Sequence, residues 1–179
     1  MSKIVHKLVV EADEQEVHSV VLDSDALAAL VGTLPYRKCE DEFVSLLGYL
    51  AQSSSSEVRK AVAENNGINE DILELLAKDK VVDVRRSVSY CDEFKTWAST
   101  EIVIDYIQSD IECAKSIAGD LGSFTEVDTN TIADMLRNHS DPGVRKALAD
   151  SYSAPKKILK QLLTDPEHSV RCAARESLD

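Results

Sequence analysis

Four arginines are the side chains best arranged for recognition chemistry, because each sits in the same six-residue phrase. The phrase reads Val58-Arg59-Lys60-Ala61-Val62-Ala63, Val84-Arg85-Arg86-Ser87-Val88-Ser89, Val144-Arg145-Lys146-Ala147-Leu148-Ala149 and Val170-Arg171-Cys172-Ala173-Ala174-Arg175. A guanidinium is a planar fork of donors that matches a carboxylate or phosphate through two parallel hydrogen bonds. Regularly spaced forks therefore make either a ladder of internal ion pairs or a groove for an anionic ligand. Aspartates recur with them: Asp79 stands six residues ahead of Arg85, Asp165 six ahead of Arg171, and Asp141 four ahead of Arg145. Such a carboxylate can cap the short helix and pair with the arginine of its own or a neighbouring repeat. A structural ladder of Arg59, Asp79, Arg85, Asp141, Arg145, Asp165 and Arg171 is the expectation.

The other reactive residues are scattered. Cys39, Cys91, Cys113 and Cys172 have no close spacing, and His6, His18, His139 and His168 add none. A metal site needs clustered ligands, so no metal and no cofactor is expected, and the thiols read as reduced packing residues of a cytoplasmic protein. No phosphate-cradling glycine loop, Gly-x-Ser-x-Gly elbow or His-Glu-x-x-His occurs. Adjacent carboxylates such as Glu40-Asp41 and Asp92-Glu93 diverge along the chain and read as a solvated face. Catalysis is not expected.

The net charge of −12 is uneven: residues 1–56 carry −5, 57–90 carry −1, 91–140 carry −7 and 141–179 carry +1. A duplex binder presents a basic stripe to phosphates, so nucleic acid is disfavoured and a basic protein partner favoured. No apolar run approaches the ~18–20 residues of a membrane span, and the N-terminal stretch, with Lys3, His6 and Lys7, does not read as a signal peptide.

The arginines must be positioned by a repeating scaffold. The first two phrases start 26 residues apart, as do the last two, and a worn copy, Cys113-Ala114-Lys115-Ser116-Ile117-Ala118, starts 29 after Val84 and 31 before Val144. Upstream of each phrase runs a second apolar stripe at helical spacing: Phe43-Val44-x-x-Leu47-x-x-Leu50-Ala51, Ile72-Leu73-x-x-Leu76-Ala77, Ile102-Val103-x-x-Tyr106-Ile107, Ile132-Ala133-x-x-Leu136 and Ile158-Leu159-x-x-Leu162-Leu163. Each repeat is thus helix, tight turn, short helix, and neither helix buries its stripe without stacking. Asn69 is placed to cap one helix. Asp141-Pro142 and Asp165-Pro166 set a carboxylate before a first-turn proline, and Pro155 opens another helix.

Two regions depart from the pattern. Residues 1–22 fit a two-stranded hairpin or an irregular cap on the first repeat, followed by a short helix over Ser24–Val31 capped by Ser24. Tyr90–Ser99 lengthens the second repeat and holds the only tryptophan. Phe94 and Trp97 either plug the junction with the worn repeat or anchor a partner.

The Asp-x-x-x-x-Val-Arg pattern after a Leu-x-x-Leu-Ala helix resembles the HEAT-like repeats of armadillo-type superhelices, and residues 58–65 look most like the leucine-rich repeat variant. The resemblance covers about residues 40–179. It implies an all-α fold: a right-handed α-solenoid of about five two-helix repeats behind an N-terminal cap over 1–39, with a general role in binding macromolecules. Some variant-repeat proteins hold an iron–sulfur cluster on an N-terminal cysteine cluster; only Cys39 stands there, so that property is not carried over. The expected function is a non-catalytic protein-binding module meeting a basic partner through Asp92, Glu93, Phe94, Trp97, Glu101, Asp105, Asp110 and Glu112. Two alternatives stay open: a small acidic inhibitor or immunity-type protein of a basic enzyme, and a HEAT-like lyase or ligand carrier.

Overall fold

The helices are short, seven to ten residues apart from one of six. Isolated helices below ~12–15 residues are marginal in water, so their stability comes from packing. The computed structural model describes residues 6–12, 16–34, 41–65 and 67–179. Cys39, Glu40 and Asn66 lie outside the described residues. The chain divides into two compact halves, Met1–Val84 and Arg85–Asp179. The division falls inside a helix of the second repeat.

The first half opens with an antiparallel hairpin, β1 (His6–Ala12) and β2 (Glu16–Leu22), in a register that sets His6 opposite Leu22 and Ala12 opposite Glu16. The valine-rich composition of both segments favours extended backbone, and the hairpin alternative for residues 1–22 is the one adopted. Helix α1 (Ser24–Thr33) follows, and its cap is Asp23, whose Oδ1 accepts from the Ala26 N–H at 2.8 Å. The cap expected at Ser24 is thus displaced by one residue. An aspartate at the turn satisfies the same orphan donor and adds a charge favourable to the helix dipole.

Helices α2 (Asp41–Leu50) and α3 (Ser56–Ala63) form repeat one; α4 (Glu70–Ala77) and α5 (Val82–Ser89) form repeat two, whose second helix spans the division. Helix α1 packs on α3, and α2 packs on α3 and α4. The core here holds Leu27, Val31, Leu47, Val58, Val62, Leu73 and Leu76, all buried. Asn69 caps α4 by accepting from Ile72 at 3.0 Å. Gly67 has no room for a side chain, because a Cβ there would lie 2.6 Å from Cε1 of Phe43.

The second half contains α6 (Asp92–Trp97), then repeat three, α7 (Thr100–Ser109) and α8 (Ile111–Gly119), a 3-10 turn (Leu121–Ser123), repeat four, α9 (Thr129–Arg137) and α10 (Pro142–Asp150), and repeat five, α11 (Lys156–Leu162) and α12 (His168–Glu176). Helices α7, α9 and α11 touch in series; so do α8, α10 and α12, and each repeat's two helices touch each other. The phrase explains the second series. Its first and fifth positions are one helical turn apart and form a single apolar stripe. They are Cys113 and Ile117, Val144 and Leu148, Val170 and Ala174, all with no exposed surface.

Candidate partner-binding surface and the arginine clasps

The phrase arginines do not act alike at their two edges. In repeat one, Arg59 donates from Nη1 to the Ser53 carbonyl at 2.8 Å, pinning its own turn. From Nε and Nη2 it grips both carboxylate oxygens of Asp79, in the next repeat, at 2.5 and 3.0 Å. Repeat four does the same: Arg145 Nη1 donates to the carbonyls of His139 and Ser140 at 2.8 and 3.1 Å, while Nε and Nη2 hold Asp165 at 2.8 and 3.0 Å. Each pair spans 20 residues, and both are nearly enclosed, with side chains 9% and 8% exposed in the first and 12% and 5% in the second.

The aspartate partner is therefore the one five residues ahead of the next phrase, not the one within the arginine's own repeat. Asp141 caps α10 instead, accepting from Val144 at 3.1 Å. Asp165 does not cap α12, whose cap position is Glu167; it accepts from the Glu167 N–H at 2.9 Å and from Arg145, and its backbone carbonyl receives Arg171 Nη1 at 2.7 Å. The Arg145 hydrogen bond outweighs burial and keeps the Asp165 carboxyl below the usual range. At Asp79, burial acts in the opposite sense, but the Arg59 bond and the Val81 N–H prevail and lower it. Arg85 sits near Tyr106, whose phenol burial pushes far up.

The rung changes register at repeat two. Arg86, one residue later, donates from Nε and Nη2 to Asp110 at 3.1 and 2.8 Å. Asp110 also caps α8 through the Cys113 N–H at 3.0 Å. Arg86 holds the Asp110 carboxyl down to about 2. In repeat three the arginine is replaced by Ala114, and the site that would receive it holds His139. Arginine and aspartate are lost together.

A second tie, which sequence reading missed, closes the opposite ends of the short helices. Seven residues after the first phrase position stand Asn65, Ser151 and Ser177. Asn65 Nδ2 donates to Val31 O at 3.4 Å, Ser151 Oγ to Gly119 O at 2.9 Å and Ser177 Oγ to Ala149 O at 2.7 Å. Each acceptor lies in or ends the preceding helix of the same series. The recurrence of small polar residues at that offset was the available signal.

The residues expected to meet a partner separate into two groups. Phe94 is fully buried: its ring lies 4.7 Å from that of Tyr106, 6.1 Å from Phe124 and 6.5 Å from Trp97. Its ring is enclosed by these neighbours and has no exposed surface to offer a partner, and an aromatic side chain gains most where it loses most water. Asp110 is half-buried, held by Arg86 and by the α8 N-terminus. Trp97 and Glu93 are half-buried. Asp92 is exposed and pairs with Lys95 at 3.2 Å, and Glu112 with Lys115 at 2.9 Å. Glu101 and Asp105, one turn apart on α7, face solvent with Gln108 in the same stripe. The Glu101 carboxyl is lowered by its own N–H and the Ser99 hydroxyl.

Among the described residues, no group of three His, Cys, Asp or Glu side chains is arranged to hold a metal ion, and no helix is long and apolar enough to cross a membrane. Burial pushes the Cys113 thiol up to about 11, the behaviour of a packing thiol. No known family pattern matches this chain, and no curated protein matches it.

Proposed function

We propose that this chain is a non-catalytic protein-binding module, its helix pairs stacked as an α-solenoid of the HEAT-like or leucine-rich repeat variant kind. Support for the stacking comes from the serial contacts of α8, α10 and α12 beneath α7, α9 and α11, and from interhelix ties at both ends of the short helices. The partner is a basic protein. One observation carries that reading: the carboxylates between repeats are consumed by arginines, whereas Glu101 and Asp105 on α7 are exposed and have no cationic partner among the described residues. Exposed charges of one sign steer oppositely charged partners and are screened by salt.

The test is capture by the tagged full chain at low and high salt, with the Glu101→Lys/Asp105→Lys double variant alongside. A stoichiometric basic protein that is released at high salt, and retained at least tenfold less by the variant, is the expected result. Equal capture by parent and variant overturns the assignment of α7.

A further inference from the structure

Gly48 lies inside α2, where a glycine gives up more backbone freedom than any other residue. Packing does not require it. A Cβ there would meet only Ile72 of α4, 3.7 Å from Cγ1 and 3.8 Å from Cδ1, which is ordinary contact. The later repeats carry a side chain at the same place, after the buried Leu or Tyr of the stripe: Ala77, Ile107, Arg137 and Leu163. In repeat one the missing side chain leaves a notch between α2 and α4, opposite Ile72. These two helices already touch, so a further repeat at either end of the row would not fill it.

Two exposed apolar side chains border the notch. Tyr49 follows Gly48 on the outward side of α2 and is 49% exposed. Leu75 stands one turn beyond Ile72, on the side of α4 that meets α2, and is 45% exposed. The counterparts of Tyr49 in the later repeats are Lys78, Gln108, Asn138 and Thr164, all polar. The surrounding charge says what fits between Tyr49 and Leu75. Helix α2 begins with Asp41 and Glu42, α4 with Glu70 and Asp71, and Glu74 follows one turn on; all five are exposed. Lys78, just past α4, is paired with Glu74 at 2.5 Å. An apolar centre inside a carboxylate rim complements an apolar side chain carried between cations.

We propose that the notch at Gly48 is a docking site for a basic segment of a separate protein. The segment inserts one aliphatic side chain between Tyr49 and Leu75 and sets its flanking lysines or arginines against the carboxylates of α2 and α4. This site rests on the same reading of the chain as a module for basic protein partners, yet it lies in the other half from the α7 stripe.

The test follows the leucine methyl signals of the full chain labelled with carbon-13, that of Leu75 being assigned by its loss in Leu75→Gln. The probes are blocked hexapeptides: Lys-Lys-Leu-Leu-Lys-Lys, its analogue with serines for leucines, and its analogue with glutamates for lysines. A saturable movement of Leu75 at millimolar lysine–leucine peptide, about tenfold weaker with either analogue, is the expected result. Gly48→Ala should melt no lower than the parent, because a helix gains from alanine, and should weaken the peptide about fivefold by filling the notch. The Glu101→Lys/Asp105→Lys variant should leave the Leu75 response unchanged. No saturable movement, an equal response to the serine peptide, or undiminished binding by Gly48→Ala overturns the notch, and none of these outcomes bears on capture through α7. Leu75 signals that move with protein concentration alone, together with self-association in sedimentation, make the occupant a second copy of this chain and overturn the separate partner.

Discussion

The clasp between repeats four and five makes a quantitative claim about where stability resides. Arg145 and Asp165 are 12% and 5% exposed and share two hydrogen bonds at 2.8 and 3.0 Å. Little of either side chain reaches solvent. Removing one member of a buried pair leaves the other charge stranded, at about 3–5 kcal/mol. Arg145→Met strands the Asp165 carboxylate; Asp165→Leu strands the Arg145 fork and the Glu167 N–H. Each variant is expected to fall in that range, lowering Tm by about 10 °C at 2–4 °C per kcal/mol. Replacing both members at once leaves no stranded charge, so the double variant should lose less than the sum, with a coupling of about 2–3 kcal/mol. Urea unfolding followed by far-ultraviolet circular dichroism measures all four corners of the cycle. Single losses below about 1 kcal/mol that simply add would refute the reasoning, because that is the behaviour of a solvated surface pair.

The Arg86–Asp110 rung should be visible in pH. The Asp110 carboxyl sits at about 2 when folded, against an ordinary 3.8; its contribution is complete above about pH 4 and lost as pH falls towards 2. Asp110→Asn is therefore expected to be less stable at neutral pH by about 2 kcal/mol, with the deficit shrinking across that window; a deficit independent of pH contradicts the assignment. Thiol labelling offers a separate check on packing. In a Cys39→Ser background, native protein at pH 8 should take a single label at half-exposed Cys172, with buried Cys91 and Cys113 labelled only on unfolding. Native labelling of Cys113 at a comparable rate would show that its site opens readily.

Much of this architecture is readable from local spacing, and the unreadable part has a definite character. Apolar residues three and four apart announce a helix because one strand of chain decides the outcome. The stripes around Leu73, Ile132 and Val144 behave in this way, as does the cap at Asn69. The clasp is different. Arg145 has Asp141 four residues behind it and Asp165 twenty ahead, and only the stacking of α10 on α12 brings the distant one into the fork. The carboxylate nearer in sequence is claimed first by the backbone N–H groups of its own helix. The same competition misleads at Asp110, which reads as surface charge until Arg86 is found against it. Phe94 was ambiguous for another reason: a lone aromatic in an irregular insertion has no periodicity, so burial and exposure read alike. The ties of Ser151 and Ser177 were hidden because a hydroxyl in a turn ordinarily satisfies its own backbone.

Asp165 joins more of the chain than one rung. Its carboxylate holds the arginine of repeat four and its carbonyl holds the arginine of repeat five, so one loop residue is common to two short helices. A linear array is described by the intrinsic stability of each repeat and the coupling between neighbours. Here part of what looks intrinsic to repeat five, the pinning of its turn, depends on the residue that also makes the coupling. Order in the last repeat is thus conditional on order in the one before it. Coupling of this sort lets α10 and α12 lose their order together instead of one helix fraying ahead of the other.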